Sequence, residues 1–239
     1  MLAGNAELKQ GNRMMREIVL DTETTGFDAT GGDRIVEVGC VELVNHVASG
    51  KTFQSYVNPE RDMPEGAFQV HGLSSQFLAD KPKFAAVVED LLTFLGDDKL
   101  VIHNASFDLG FLNAEFDRLG RPALPPERAI DTVALARRKY PGAPASLDAL
   151  CRRFEIDNSE RTKHGALLDA ELLAEVYLEL IGGRQPGLVL RASQAGEVGE
   201  GDQTQTHTAR TPRPHAPSGE EKAAHAAFID TLEDPIWKS

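Results

Sequence analysis

Apolar residues in this chain follow two rhythms, short continuous runs and a three-to-four repeat, and the alternation between them predicts an α/β protein. IVLDTETTG, Ile18 to Gly26, is a short apolar run that ends abruptly in Asp21 and Glu23, and it reads as a buried strand. RIVEVGCVEL (Arg34 to Leu43) and KTFQSYV (Lys51 to Val57) are β-rich and joined by short polar links, which predicts three consecutive antiparallel strands. Asn58 to Gly72, rich in Pro and Gly, reads as a loop carrying His71 in a turn. Phe84, Val87, Val88, Leu91, Leu92 and Leu95 then recur at helical spacing and predict a core helix.

A second short strand, Leu100 to Ile102, runs into Asn104 and Ser106, either of which can cap a helix with Asp108 in its first turn. Asp108 shares a face of that helix with Phe111, Leu112 and Leu119. Ala129 to Thr132 reads as a strand ending in Asp131, a structural cap for the helix in VALARRKYP, which Pro141-Gly142 closes. Ser146 caps a helix with Leu147, Leu150, Cys151 and Phe154 on its buried side. The last long helix, Ala166 to Ile181, carries Asp169 on the stripe of Leu172, Leu173, Val176 and Leu180, while Glu171, Glu175 and Glu179 face out.

Beyond Gly183 the stripe disappears. The run QAGEVGEGDQTQTHTARTPRPHAPSGEE is almost devoid of apolar side chains and reads as a flexible linker. An apolar pattern returns only in Lys222 to Trp237, through Ala223, Ala227, Phe228, Leu232, Ile236 and the single Trp237, helix-like up to Asp234-Pro235. The expected organisation is an N-terminal extension (1–16), one catalytic-sized domain (17–183), a linker (184–221) and a terminal segment (222–239). Met14 and Met15 stand just before the first strand as alternative starts, and residues 1 to 16 lack a signal peptide's apolar core.

Composition narrows the class. The 239 residues are 41% hydrophobic with 6% aromatics, and no apolar run approaches the roughly 18 residues that cross a bilayer. The net charge of -12 argues against a broad basic surface for duplex nucleic acid, but an acidic cluster that holds divalent cations would make such a count misleading. Cys40 and Cys151 each lie among apolar neighbours, as free thiols of a reducing, cytoplasmic compartment do.

Asp21 and Glu23, at i and i+2 on a strand, point to one face and repel each other. Either they are solvated at an exposed strand end, or a cation neutralises them. Asp108 and Asp169 on inward helix faces add two more acids, although Asp108 also suits a helix N-terminus on dipole grounds alone. His164, on the loop five residues before Asp169, is placed to lean over whatever that acid binds. Carboxylate ligation suits Mg²⁺ or Mn²⁺ rather than Zn²⁺, and two such ions can clamp both oxygens of an in-line phosphoryl displacement. An imidazole is suited to take a proton from the attacking water near neutral pH.

DTETTG, VHGL, HNASFDLGFL and SLDALCRRFEIDNSERTKHGALLDA, followed by a linker, together resemble the DEDDh 3'-5' exonucleases over about Glu17 to Gly183, and most closely those that proofread within bacterial replicative polymerases. The resemblance implies an RNase H-like fold, a five-stranded mixed sheet flanked by helices. It assigns Asp21, Glu23 and Asp169 to one of two catalytic Mg²⁺ or Mn²⁺ ions, Asp21 and Asp108 to the other, and the general base to His164. It also puts Thr24, Val70, His71 and Phe107 around the terminal nucleotide, a role for His71 that a surface histidine in a turn would not have. The implied partners are a single-stranded 3' DNA end, the polymerase catalytic (alpha) subunit through 222–239, a small stabilising (theta-like) subunit, and a sliding clamp through QPGLVL (185–190), within a cytoplasmic, nucleoid-associated replisome. An exoribonuclease or oligoribonuclease on the same scaffold, or a non-catalytic scaffold subunit, are the alternatives, and the intact acids weigh against the latter.

Overall fold

The computed structural model describes residues 15–183 and 217–231, and the chain divides after Val189 into two units. The first is built on five strands: β1 (Arg16–Thr24), β2 (Ile35–Val44), β3 (Val47–Tyr56), β4 (Lys99–Ile102) and β5 (Ala129–Asp131). Their order across the sheet is β3-β2-β1-β4-β5. The first three pair antiparallel as the sequence predicts, whereas β4 joins β1, and β5 joins β4, in parallel, so the sheet is mixed.

Side-chain alternation splits β1 between two cores. Ile18 and Leu20 pack with α3 (Phe84–Leu95) and α4 (Ala105–Arg118) through Phe84, Leu91, Phe111, Leu112 and Phe116. Val19 packs on the other side with α6 (Leu147–Phe154) and α7 (Ala166–Ile181) through Leu150, Cys151, Leu173 and Val176. Both cysteines are buried free thiols. Among the described residues no helix is long and apolar enough to cross a membrane.

Capping sets the helix starts. Asp131 accepts from the Val133 and Ala134 amides and opens α5 (Thr132–Lys139), and the Ser146 hydroxyl accepts from Ala149 N to open α6. Asn104 stands before α4 in the left-handed region at φ 64° and makes no side-chain cap, so neither cap expected there is the one used. Its own amide donates instead to Asp131.

The sequence reading fails in two places in this unit. Asn58 to Gly72 is not all loop, because α1 (Glu65–His71) fills its second half and ends on Gly72 in the left-handed conformation. A single turn, α2 (Ser75–Leu78), capped by Ser74, follows it. Leu119 does not share the inward stripe of Asp108: α4 stops at Arg118, and Leu119 is exposed where the chain leaves the helix. The apolar spacing continued past the point at which the backbone turned away.

Described by itself, the second unit contains α8 (Gly219–Asp230), where Ser218 and Glu221 form a reciprocal capping box. The helix thus starts three residues inside the expected linker. Phe228 on it is exposed. The extension up to residue 14, QPGLVL (185–190), Leu232, Ile236 and Trp237 lie outside the described residues.

Candidate active site

β1 and β4 run parallel as far as Leu20 opposite Ile102, and beyond that pair the chains part. β1 continues into Asp21 and Glu23 while β4 turns into α4, so a crevice opens at the carboxyl ends of neighbouring strands. Asp108, in the first turn of α4, reaches across to β1: one of its oxygens accepts from the Thr22 amide at 3.0 Å and the Thr22 hydroxyl at 2.7 Å. From the opposite face α7 brings Asp169, also buried. Two features of β2 hold α7 that close. Glu37 accepts from the Ala166 amide at 3.2 Å, and Gly39 lies so near that a Cβ there would fall 2.3 Å from the Ala166 carbonyl carbon.

Asp21, Glu23, Thr24, Val70, His71, Phe107, Asp108, His164 and Asp169 all line one cavity of about 670 Å³. Every residue proposed from sequence for metal, base or nucleotide therefore faces the same space. His71 is a buried side chain ending α1, not a surface histidine in a turn: its Nδ1 accepts from Leu73 N at 3.0 Å, and its Nε2 has no partner of good geometry among the described residues. Burial lowers its pKa below the ordinary imidazole range. Phe107 stacks obliquely on Phe111, with centroids 4.9 Å apart, and stands 6.3 Å from the exposed ring of Phe27. The pocket thus has an aromatic wall beside an acidic floor.

That floor carries more negative charge than it can hold ionised by itself. Burial, with the charges of Asp108, Glu23 and Asp169, drives Asp21 well above the usual carboxylate range. Burial and the Asp169 charge raise Glu23 to about 8. Burial raises Asp108 to about 7 against the pull of the Thr22 hydrogen bonds. Only Asp169 goes the other way: burial opposes its ionisation, but hydrogen bonds from Arg161 and His164 outweigh it and hold the carboxyl low. Three acids that resist ionisation side by side form a donor set that a divalent cation would neutralise. Ligand atoms of Glu23, His164 and Asp169 all lie within 4.8 Å of one another, so the donor set fits a divalent ion.

Some cavity residues escaped the sequence reading. Arg161 caps the acidic cluster, His103 sits at the rim bonded to Thr132 Oγ1 at 2.9 Å, and Phe27 and Asp148 complete the walls. Nothing in the polar loop before His164 marks Arg161, because only loop closure turns it inward; Phe27 directly follows the DTETTG motif and was open to suspicion.

Comparison with known proteins decides the family. The model for the exonuclease (RNase T) family matches residues 18–177. The chain belongs to the exonuclease family. It is a nuclease, and this exonuclease's relatives include the DNA polymerase III subunit epsilon of Rickettsia felis, 47% identical over 223 residues that cover 91% of this chain and 97% of the relative. The subunit of the same name from Escherichia coli K12 is 43% identical over 238 residues, covering 94% and 98%. Among solved structures, exonuclease X in complex with 5' overhanging duplex DNA superposes with a TM-score of 0.55 at 27% identity, covering 69% of this chain and 90% of that one. The nuclease domain of 3'hExo, a DEDDh family member bound to rAMP, gives 0.60 at 20% identity over 71% and 93%, a likeness of fold. The RNase H-like architecture expected from the motifs is the one present.

Proposed function

We propose that this exonuclease proofreads newly made DNA as the epsilon-type subunit of a bacterial DNA polymerase III, removing nucleoside 5'-monophosphates from a 3' end. The observation that carries the reading is the convergence of Asp21, Glu23, Asp108 and Asp169 with His164 on one cleft walled by Phe107. Asp21, Glu23 and Asp169 would hold one divalent ion, and Asp21 with Asp108 a second; Mg²⁺ and Mn²⁺ suit these oxygen donors. Bound there, the ions supply charge neutralisation and electrophilic activation for displacement at phosphorus.

The protein's own groups do the rest. Thr24, Val70, His71 and Phe107 seat the terminal nucleotide, with the base on the aromatic ring, a mode that tolerates any base. His164, half exposed at the mouth of the cleft, takes the proton of the attacking water. A frayed, mismatched end reaches such a single-strand pocket at lower unpairing cost than a paired one. The capped, partly apolar α8 with exposed Phe228 supports a role for 222–239 in gripping the polymerase catalytic (alpha) subunit, which would hold the nuclease near the primer end at high effective concentration. A theta-like subunit, a clamp contact through 185–190 and a place in the cytoplasmic, nucleoid-associated replisome belong to the same proposal.

The test uses a 5'-labelled single-stranded DNA and its RNA counterpart with Mg²⁺, Mn²⁺ or EDTA. A ladder shortening from the 3' end on DNA, abolished by EDTA, is the expected result. Preferential trimming of RNA would shift the assignment to an exoribonuclease. Removal of the residues from Gly219 onward should leave this hydrolysis intact and abolish co-purification with the polymerase subunit; retained binding would place the anchor elsewhere.

A further inference from the structure

The loop between α6 and α7 delivers one side chain that no step of the proposed reaction uses. The side chain of Arg161 is buried, and its guanidinium faces Asp169 edge-on: Nε donates to Oδ1 at 2.5 Å and Nη2 to Oδ2 at 2.6 Å. The same group bonds outward, Nη1 donating to Asp148 Oδ1 at 2.7 Å, while Nη2 lies 3.0 Å from His164 Nδ1. Asp148 in turn accepts from Asn158 Nδ2 at 3.2 Å, and the His164 amide donates to the Val70 carbonyl, so both ends of the loop segment are tied down. The charge of Arg161 also favours ionisation of Asp21 and Glu23.

A planar guanidinium engaging both oxygens of a buried carboxylate is a strong, geometrically specific pair. It engages both Asp169 oxygens, one of which a Mg²⁺ or Mn²⁺ ion would need at about 2.0–2.1 Å in octahedral geometry. The two cations therefore compete for one ligand. We propose that Arg161 is a resident counter-cation of the catalytic centre, holding Asp169 charged and in position until a divalent ion displaces it, with Asp148 as the tether that aims the guanidinium at Asp169. Arg161 is a positioning residue in this scheme, acting through Asp169.

Two consequences follow from competition. Metal binds more weakly than the four carboxylates alone would allow, and the metal-free protein keeps an ordered site instead of splaying its acids apart. The first is not expected of an arginine that only braces the loop, because loss of a brace disorders Asp169 and weakens metal binding.

The inference rests on the metal reading of the site, and the experiment separates the two. Mn²⁺ binding to the full chain is measured by titration calorimetry for wild type, Arg161→Gln, Arg161→Lys and Asp148→Asn, alongside the melting temperature with and without Mn²⁺. Arg161→Gln is expected to bind Mn²⁺ about tenfold tighter, as loss of a competing charge-assisted pair allows. Its metal-free form melts lower, and its gain in melting temperature with Mn²⁺ exceeds that of wild type. Arg161→Lys, with the charge but without the fork, falls between; Asp148→Asn, which loosens the tether but keeps the arginine, tightens binding to a smaller degree and serves if Arg161→Gln fails to fold. Unchanged or weakened Mn²⁺ affinity in the folded variants, with normal binding by wild type, overturns the counter-cation role alone. Absence of Mn²⁺ binding by wild type overturns this role and the metal reading together.

Discussion

Thr22 gives both its backbone amide and its hydroxyl to a single oxygen of Asp108, at 3.0 and 2.7 Å, and so locks the first turn of α4 onto the end of β1. Both bonds favour the ionised carboxylate and oppose the burial that lifts it to about 7. Thr22→Val keeps the shape and removes the hydroxyl. Asp108 should then protonate at still higher pH, and the midpoint of pH-dependent Mn²⁺ binding should rise by about half to one unit, as loss of one hydrogen bond of about 1 kcal/mol to a charged group implies. Titration calorimetry across pH 6 to 9 checks it; an unmoved midpoint would mean that Asp108 does not limit metal uptake.

Stability of the metal-free protein should fall as pH rises. Glu23, raised to about 8, and Asp108, raised to about 7, bind protons more tightly folded than unfolded. Their contribution is fully present below the unfolded range near about 4 and is lost as pH climbs through their folded values. The melting temperature in EDTA should therefore drop between about pH 6 and pH 8.5, and saturating Mn²⁺ should flatten that slope. A melting temperature that climbs over the same interval without metal would contradict the acidic cluster as described.

The acids should differ when neutralised singly. Asp21→Asn removes a carboxyl that burial and three like charges hold well above its usual range, so the metal-free protein should become more stable while hydrolysis is lost. Asp169→Asn should also abolish hydrolysis, yet it takes from Arg161 the buried one of its two carboxylate partners and should lower metal-free stability. Urea denaturation of the two variants in EDTA gives the comparison, and a common sign of change would refute it.

Gly39→Ala should act at a distance. The new Cβ would meet Leu167 N at 2.2 Å and the Ala166 carbonyl oxygen at 2.4 Å, so α7 must retreat and carry Asp169 with it. A destabilisation of about 1–3 kcal/mol is expected from such overpacking, with hydrolysis falling further than stability explains. Denaturant melts paired with turnover on a single-stranded oligonucleotide measure both.

His164→Ala should lower turnover by about 10² to 10⁴-fold while leaving Mn²⁺ affinity near wild type, and should flatten the acid limb of the pH profile. His164 Nδ1 also lies 3.4 Å from Asp169 Oδ2, within the same cluster of ligand atoms. A loss confined to metal binding would accordingly make it a ligand.

What the sequence determined by itself is local. Apolar runs and helical stripes located the five strands and the long helices because burial of a strand face or helix stripe is written in near-neighbour spacing. The same spacing put Asp108 and Asp169 on inward faces, and the motif order tied them to Asp21, Glu23 and His164. Tertiary structure decided whatever depended on contacts between distant segments. α1 was hidden because Pro and Gly flank it, and its imidazole is buried only once the chain closes over the cleft. Leu119 kept the right period but lost its helix, since Gly120 beyond it turns the chain at φ 64°. Gly39 and Glu37 look like ordinary strand residues, yet the contact that seats α7 spans 129 positions between Glu37 and Ala166. Arg161 reads as one more cation in a polar loop, and only the fold makes it the charge that holds Asp169.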